Sequence, residues 1–125
     1  MRESEQFFGL QAESTLQGRA ITVRMKGSAE NDEAAPLAEY LAKLDHKLRD
    51  ENLVMAVVDV SGVEFMNSTS LKSFVTWLVR ADDGNGAYRV RFRYTADIFW
   101  QRRSIESLHR LAPGVVIDPE TSADD

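Results

Sequence analysis

The longest apolar stretch of the chain lies near its centre and predicts a buried strand that leads into a helix. Residues 53–60, LVMAVVDV, are apolar except for Asp59, which is typical of a strand buried on both faces of a parallel sheet. The segment 66–70, MNSTS, comes next, at the strand end where open α/β sheets bind their ligands. Four apolar residues then follow at helical spacing and predict an amphipathic helix: Leu71, Phe74, Val75 and Leu78.

The N-terminal part of the chain predicts a hairpin and a first helix. Residues 7–14 and 20–26 have the character of strands, and the turn between them contains a glycine, as in an antiparallel hairpin. Asn31 and Asp32 are candidate N-caps of a helix that ends near Asp50 and has this apolar stripe: Leu37, Tyr40, Leu41, Leu44 and Leu48. The second and third strands should then be parallel neighbours joined by a right-handed crossover.

The C-terminal part predicts one further strand and one further helix. Residues 88–94 alternate apolar or aromatic residues with arginines, which indicates a strand with one solvated face. Thr95 is the candidate N-cap of a helix that Pro113 and Gly114 terminate, and residues 115–117 can add a short edge strand. The whole pattern predicts an α/β fold with a mixed sheet of four to five strands, an N-terminal hairpin at one edge, and helices largely on one face.

The composition indicates one globular domain. A chain of 125 residues with 43% hydrophobic residues can bury a single core, so residues 1–125 are expected to form one domain, with its core at about 6–118 and an acidic tail at 119–125. There is no cysteine, and no apolar segment is long enough for a signal peptide or a membrane span. We therefore expect a cytoplasmic protein without membrane association. The net charge of −5 disfavours nonspecific binding to nucleic acid.

The segment 65–71, FMNSTSL, resembles the central motif of the STAS family, the sulfate-transporter and anti-sigma-factor-antagonist domains. The family pattern is an apolar strand, a Phe-Met-type pair, and Asp-Ser-Ser-Gly-Leu at the start of a helix. In bacterial antagonists of this family an anti-sigma-factor kinase phosphorylates the first serine of the motif, and a dedicated phosphatase reverses the reaction. By resemblance that serine is Ser68, and the implied partner-binding residues are Met66, Asn67, Ser68, Thr69, Ser70 and Lys72. The resemblance implies a STAS-like fold over nearly the whole chain.

The residue types at this motif are compatible with such a switch. Ser68 lies where an N-cap is expected, and a phosphate on its oxygen would meet the free N–H groups and the positive dipole end of the helix. The added charge of about −1.5 to −2 would oppose the approach of an acidic or apolar partner. Thr69 and Ser70 are alternative phosphoacceptors. Two residues depart from the family pattern: Asn67 replaces an aspartate, and Ser70 places a side chain where glycine would allow close approach.

These observations favour a non-enzymatic signalling domain of the anti-sigma-factor-antagonist type. It is expected to regulate transcription by binding a kinase-type anti-sigma factor or a related protein, and phosphorylation of Ser68 would switch that binding. One alternative is a STAS scaffold without phosphorylation. Another is RNA binding through Arg89, Arg91 and Arg93, although strict alternation places the neighbouring aromatic residues on the opposite face of the strand. Whether the protein forms a homodimer stays open.

Other candidate sites have less support. Asp59 has no nucleophile or second acid beside it in the sequence, so a polar cap of the strand end is the preferred interpretation and an enzyme is the third hypothesis. His46 and His109 lie on different predicted helices without a metal-ligand pattern, so no metal or cofactor is expected. Residues 84–86, GNG, predict a turn. The pair Phe99 and Trp100 either marks a partner surface or packs beneath the end of the sheet.

Overall fold

The computed structural model describes residues 2–83 and 85–121, which form one mixed sheet and three helices. The strands are β1 (Arg2–Phe7), β2 (Leu10–Gln17), β3 (Ala20–Ala29), β4 (Met55–Met66), β5 (Arg89–Tyr94) and β6 (Glu120–Thr121). The helices are α1 (Ala34–Asp50), α2 (Ser68–Ala81) and α3 (Phe99–Leu111). The strands lie in chain order; β1, β2 and β3 pair antiparallel, and β3, β4, β5 and β6 pair parallel. The predicted α/β class is confirmed, with six described strands instead of four to five.

The predicted central strand is confirmed, but only one of its faces is fully buried. β4 lies between β3 and β5 and is parallel to both. Ala56 and Val58 point into the core, whereas Val57 and Asp59 on the opposite face are half-buried. The expectation of burial on both faces was wrong, because the second face of the sheet carries polar side chains that no helix of the described chain covers.

All three helices contribute to the core on the inward face of the sheet. Phe74 on α2 meets the ring of Phe92 on β5 edge to face, with 5.9 Å between the ring centroids. Ile105 and Leu108 on α3 belong to the same apolar cluster. The expected placement of the helices largely on one face is confirmed. Within residues 2–83 and 85–121, no helix has the length and apolar character that crossing a membrane requires.

The predicted N-caps of α1 and α3 were wrong, although both helices lie where they were expected. Neither Asn31 nor Asp32 caps α1; the N-cap position is Glu33, whose side chain makes no capping hydrogen bond. Thr95 does not cap α3, which begins later with Ile98 at the N-cap position. In each case other hydrogen bonds order the loop before the helix: Asn31 N–H donates to Glu33 before α1, and Asp97 N–H donates to Thr95 before α3.

The first strand of the sheet was not predicted. β1 pairs with β2 along its whole length, although residues 2–6, RESEQ, contain no apolar side chain and are exposed. Only Phe7 at its end is buried, where its ring contacts that of Tyr40 on α1. β1 is thus an edge strand defined by backbone pairing, and its charged side chains protect the edge from pairing with other chains.

The C-terminal segment also differs in detail. Residues 115–117 do not form the predicted strand; Val116 makes a single parallel bridge to Val90. The strand beside β5 is β6, in the segment expected to be an acidic tail, and it pairs Glu120 with Arg93. Residues 122–125 of that tail lie outside the described residues.

Candidate functional site

β4 brings the predicted phosphorylation segment to the end of the sheet at which all three helices begin. Two shifts of register against β3 let β4 continue to Met66. The backbone N–H of Asn67 then donates to the carbonyl of Ala29 at the end of β3, at 2.8 Å. Residues 66–70, here called the α2 corner, therefore lie at the carboxyl ends of the two central parallel strands, where α/β sheets place their binding sites.

Asn67, and not Ser68, is the N-cap of α2. Its Oδ1 accepts from the backbone N–H of Ser70 at 2.9 Å, and its backbone is extended, as an N-cap requires. Its Nδ2 also donates to the carbonyl of Asn31 at 3.3 Å, which links the loop before α1 to the start of α2. The helix itself begins at Ser68, so the N-cap position expected for Ser68 was wrong by one residue. The neutral amide performs the capping that a carboxylate would perform at this position.

The three hydroxyl residues of the α2 corner have different environments. Ser68 and Thr69 are exposed in the first turn of α2, and their backbone N–H groups make no hydrogen bond within the described part of the chain. Ser70 is fully buried, and its Oγ has no hydrogen-bond partner among the described residues. The side chains of Ser68 and Thr69 are therefore accessible from solvent, whereas that of Ser70 faces the interior. The departure from the family glycine suggested that the Ser70 side chain would obstruct close approach. Because this side chain is buried, it does not.

A shallow groove of about 320 Å³ lies beside the α2 corner, between α1 and α2. Small and polar side chains line it: Ala34, Ala35, Ala38, Thr69, Lys72, Ser73 and Thr76. Among the predicted partner-binding residues, Ser68, Thr69 and Lys72 are exposed and Asn67 is half-exposed, whereas Met66 and Ser70 are buried. The exposed and half-exposed residues can contact a partner directly. The buried Met66 and Ser70 can only support the backbone that carries these exposed residues.

A buried carboxylate that the sequence analysis missed fixes the loops at this end of the sheet. Glu33 is fully buried and accepts hydrogen bonds from the backbone N–H of Gly9 at 3.0 Å and of Asn31 at 2.8 Å. Burial by itself raises the pKa of Glu33, but the N–H groups of Asn31 and Gly9 outweigh it and hold the pKa below its usual value. A glutamate just before a helix is common, so this role leaves no specific signal in the residue pattern.

The outward face of the sheet carries a row of alternating charges. Each member of this row lies directly opposite the next one on the neighbouring strand, in this order: Glu13, Arg24, Asp59, Arg93 and Glu120. Arg93 donates to the Glu120 carboxylate at 2.6 and 2.9 Å, and the Arg24 Nε lies 4.0 Å from Asp59. The predicted role of Asp59 as a polar cap of the strand end was wrong, because β4 continues to Met66; its Oδ1 accepts from the hydroxyl of Ser61 at 2.6 Å within the strand. Opposite charges on adjacent strands compensate one another along this row.

The arginines of β5 do not form a uniform basic surface with aromatic residues. Arg93 belongs to the charge row, Arg89 donates to the carbonyl of Gly114, and the Nε of Arg91 is buried without a partner among the described residues. Tyr88 and Phe92 are buried on the opposite, inward face. Stacking of bases on a sheet needs exposed aromatic rings beside the cations, and this strand presents none.

The remaining candidates have structural environments. His46 is exposed on α1, and the Nε2 of His109 lies 3.6 Å from Asp118. In the described ranges 2–83 and 85–121, no group of three or more potential metal-ligating side chains lies close together. The predicted turn at 84–86 includes Gly84, which lies outside the described residues; the N–H of Asn85 donates to the carboxylate of Asp83 at 3.0 Å.

Phe99 and Trp100 have separate environments, and only Trp100 has the packed position at the sheet end that one of the two interpretations predicted. Phe99 is 65% exposed at the start of α3. Trp100 packs against the core, and its Nε1 donates to the carbonyls of Val63 and Glu64 on β4, each at 3.1 Å. The pair therefore attaches the start of α3 to the end of β4 through Trp100 and leaves the Phe99 ring at the surface.

Comparison with solved structures identifies this architecture. The chain is similar to the crystal structure of an anti-sigma factor antagonist from Mycobacterium paratuberculosis, with a TM-score of 0.65 and 15% sequence identity over 93% of this chain and 89% of the other. The chain has an anti-sigma-factor-antagonist fold. The STAS-like fold that the motif at 65–71 implied is thereby confirmed. No protein-family model and no curated protein matches the chain, so the similarity lies in the fold rather than in the sequence.

Proposed function

We propose that this protein is a non-enzymatic signalling domain that binds a protein partner at the α2 corner, and that phosphorylation of Ser68 releases the partner. The partner class is a kinase-type anti-sigma factor or a related regulatory kinase, with a phosphatase to restore binding. The observation that carries the proposal is the exposed Ser68 hydroxyl in the first turn of α2, in a fold shared with an anti-sigma factor antagonist.

The local geometry supports a phosphate at this position. The N–H groups of Ser68 and Thr69 have no hydrogen-bond partner among the described residues, and together with the positive end of the α2 dipole they favour an anion at this helix end. Asn67 already satisfies the N–H of Ser70 with its own side chain, so capping does not depend on the Ser68 hydroxyl. Phosphorylation can therefore change the surface of the α2 corner without removing the N-cap of α2.

The effect of the phosphate would be exerted on the partner rather than on the fold. Ser68 and Thr69 are small, and most side chains that line the groove beside them are also small, so a partner can approach the backbone closely. A phosphate on Ser68 would add about −1.5 to −2 charges within this contact. Removing a charged group from water without a matching partner is costly, so the close contact would be lost.

The test compares Ser68→Ala with Ser68→Asp. The partner is recovered from the native cell with the wild-type protein and is then titrated by calorimetry against each variant. We expect Ser68→Ala to bind like the wild type and Ser68→Asp to bind about tenfold more weakly, which corresponds to about 1.4 kcal/mol. Intact-mass and phosphopeptide measurements on protein from the same cells should place the phosphate on Ser68.

Two control variants test whether the effect on binding depends on the position of the added charge. Thr69→Asp places the same charge one residue away on the exposed first turn, and Ser107→Asp places it on an exposed position of α3 that is remote from the α2 corner. Ser107→Asp should bind like the wild type. Equal affinities for Ser68→Ala, Ser68→Asp and the wild type would contradict the proposal, as would a phosphate found only on residues other than Ser68.

A further inference from the structure

The groove between α1 and α2 contains one charged side chain. It is lined by alanine, serine and threonine except at Lys72, and no acidic residue belongs to its lining. The Lys72 side chain is exposed and forms no ion pair within residues 2–83 and 85–121. The lining of the groove thus carries one positive charge and no negative charge.

The acidic residues near the start of α1 do not neutralise this lysine. They lie in the loop before α1 or in its first two turns: Glu30, Asp32, Glu33 and Glu39. Glu33 is buried, and its carboxylate accepts the backbone N–H groups of Gly9 and Asn31. The others are exposed, but none of them lines the groove or forms an ion pair with Lys72. An acidic group that enters the groove therefore meets the lysine without a competing carboxylate.

α2 also provides no counter-ion for Lys72. On a helix surface the neighbours of a residue are those three and four positions away. For Lys72 these neighbours are all uncharged: Ser68, Thr69, Val75 and Thr76. Residues 68–81 of α2 include no acidic residue, and the second cation of the helix, Arg80, lies more than two turns further along. Lys72 is thus left free to pair with an anion that is added to the helix or brought by a partner.

Phosphorylation of Ser68 would place an anion four residues before Lys72. The Cβ atoms of such a pair lie about 5–6 Å apart, and an anion that precedes its cation has the favourable orientation on a helix. The phosphate has three acceptor oxygens, and the lysine ammonium has three donors on a flexible stem. Ser68 itself is not among the residues that line the groove. Pairing with the phosphate would therefore draw the ammonium away from the groove and towards the first turn of α2.

We propose that Lys72 binds an acidic side chain of the partner in this groove, and that a phosphate on Ser68 releases the partner by competing for Lys72. The inference rests on the proposed function and specifies the chemistry of its contact. The occupant is a partner segment in which an aspartate or glutamate lies among small or apolar residues. The alanines on the α1 side leave room for such a segment, and Lys72 is the one charge in the lining with which its carboxylate can pair. Once the phosphate holds the ammonium, that carboxylate is left without a cation in the groove.

Direct repulsion between the phosphate and the partner is the alternative cause of release. Under repulsion alone, Lys72 would partly neutralise the phosphate, so removal of the lysine would make the added charge more effective. Under competition, removal of Lys72 weakens binding by itself and leaves the phosphate nothing to compete for. The two causes thus predict different effects of Ser68→Asp in a variant without Lys72.

The test is a double-mutant cycle of Ser68→Asp and Lys72→Gln, in which the full chain is titrated by calorimetry against the partner recovered from the native cell. Competition predicts about a tenfold loss of affinity for each single variant and no further loss for the double variant. Repulsion predicts that Ser68→Asp weakens binding by the Lys72→Gln variant by about a further tenfold or more.

Two control variants separate the role of Lys72 from that of net charge. Lys72→Arg keeps the cation, so it should bind like the wild type and should still lose affinity when Ser68→Asp is added. Lys43→Gln removes the same charge from an exposed position of α1 that does not line this groove. It should bind like the wild type.

A measurement without the partner tests the pairing step by itself. The full chain is prepared with phosphoserine at position 68, and its lysine side chains are followed by NMR. We expect phosphorylation to shift the side-chain signals of Lys72, which are assigned by their loss in Lys72→Arg, and to leave those of Lys43 unchanged. The shift should diminish as salt is raised, because an exposed ion pair is screened. Circular dichroism of both forms checks that the fold is retained.

Several outcomes would overturn the inference. They are equal binding by Lys72→Gln and the wild type, a further loss of affinity in the double variant, and unchanged Lys72 signals in the phosphorylated chain. The proposed function fails separately. If Ser68→Asp binds the recovered partner normally while Lys72→Gln binds it weakly, the phosphorylation switch is contradicted and the contact of Lys72 with the partner stands without competition. If Ser68→Asp binds weakly and Lys72→Gln binds normally, the switch stands and the role of Lys72 is lost.

Discussion

At the scale of single residues, the α2 corner shows how neighbouring polar side chains with similar chemistry acquire different functions. Asn67 satisfies the helix N-terminus, Ser68 and Thr69 face solvent, and the Ser70 hydroxyl is buried without a partner in the described chain. A buried hydroxyl without a hydrogen bond costs about 1–3 kcal/mol, so Ser70 is a cost to stability and not a contribution. The surface of this corner is thus free to serve binding because Asn67 alone maintains the helix end.

The residue-scale prediction concerns which side chain caps α2. Asn67→Ala should lower the free energy of unfolding by about 1 kcal/mol, because the N–H of Ser70 loses its acceptor. Ser68→Ala should change it by less than about 0.5 kcal/mol, as is usual for an exposed position. Urea denaturation of the two variants and the wild type measures both values. A larger loss for Ser68→Ala than for Asn67→Ala would mean that Ser68 is the cap.

At the scale of elements, a buried polar network joins α1, α2 and the start of β5. The Tyr88 hydroxyl donates to the carboxylate of Asp45 on α1 at 2.6 Å and accepts from the Trp77 Nε1 on α2 at 3.0 Å. Arg49 donates to the same carboxylate at 3.0 Å. Burial and the Asp45 carboxylate both raise the pKa of Tyr88, so its phenol stays protonated and remains a donor. The network specifies how the two helices sit on the sheet.

The element-scale prediction is that Tyr88→Phe destabilises the protein by about 1–3 kcal/mol, because the Trp77 Nε1 and one Asp45 oxygen lose a buried partner. Tyr94→Phe is the matched control, since the Tyr94 hydroxyl makes no hydrogen bond within the described ranges and is only half-buried. Chemical denaturation should separate the two variants by more than the experimental error. Equal stability would show that the network contributes nothing net to the packing of α1 and α2.

At the scale of the whole molecule, the two ends of the sheet have different properties. The carboxyl end presents the α2 corner and the exposed rings of Phe8, Phe65 and Phe99, and Glu33 fixes the loops at this end. The opposite end buries the network around Tyr88. Exposed rings and the left-handed turn at Phe8 thus lie at the carboxyl end, and the buried polar network lies at the other.

The molecule-scale prediction is a pH dependence that Glu33 sets. Its folded pKa lies below the usual value of 4.5, so its contribution to stability is complete above about pH 4.5 and is lost as the pH falls through the folded pKa. Glu33→Gln should be less stable than the wild type by about 1–3 kcal/mol near pH 7, and this difference should shrink toward pH 3. Urea titrations at several pH values measure it. A difference that stays constant with pH would contradict the assignment.

The sequence by itself determined the central strand, the three helices, the hairpin of β2 and β3 and their order along the chain. Each of these leaves a local periodic signal, because side chains alternate along a strand and recur every three to four residues on a helix. The motif at 65–71 also indicated where the strand end and the exposed serine lie. Those features depend on residues that are close together in the sequence, so one amino-acid sequence is sufficient to predict them.

Tertiary structure alone decided the features that depend on distant residues. β1 is polar throughout its exposed length and becomes a strand only by pairing with β2, and the capping by Asn67 depends on how β4 continues past its bulges to the start of α2. The burial of Glu33 and Ser70 and the charge row across the sheet all depend on segments that are far apart in the chain. No local pattern encodes such contacts, because their energies arise from register and packing that exist only once the sheet has formed.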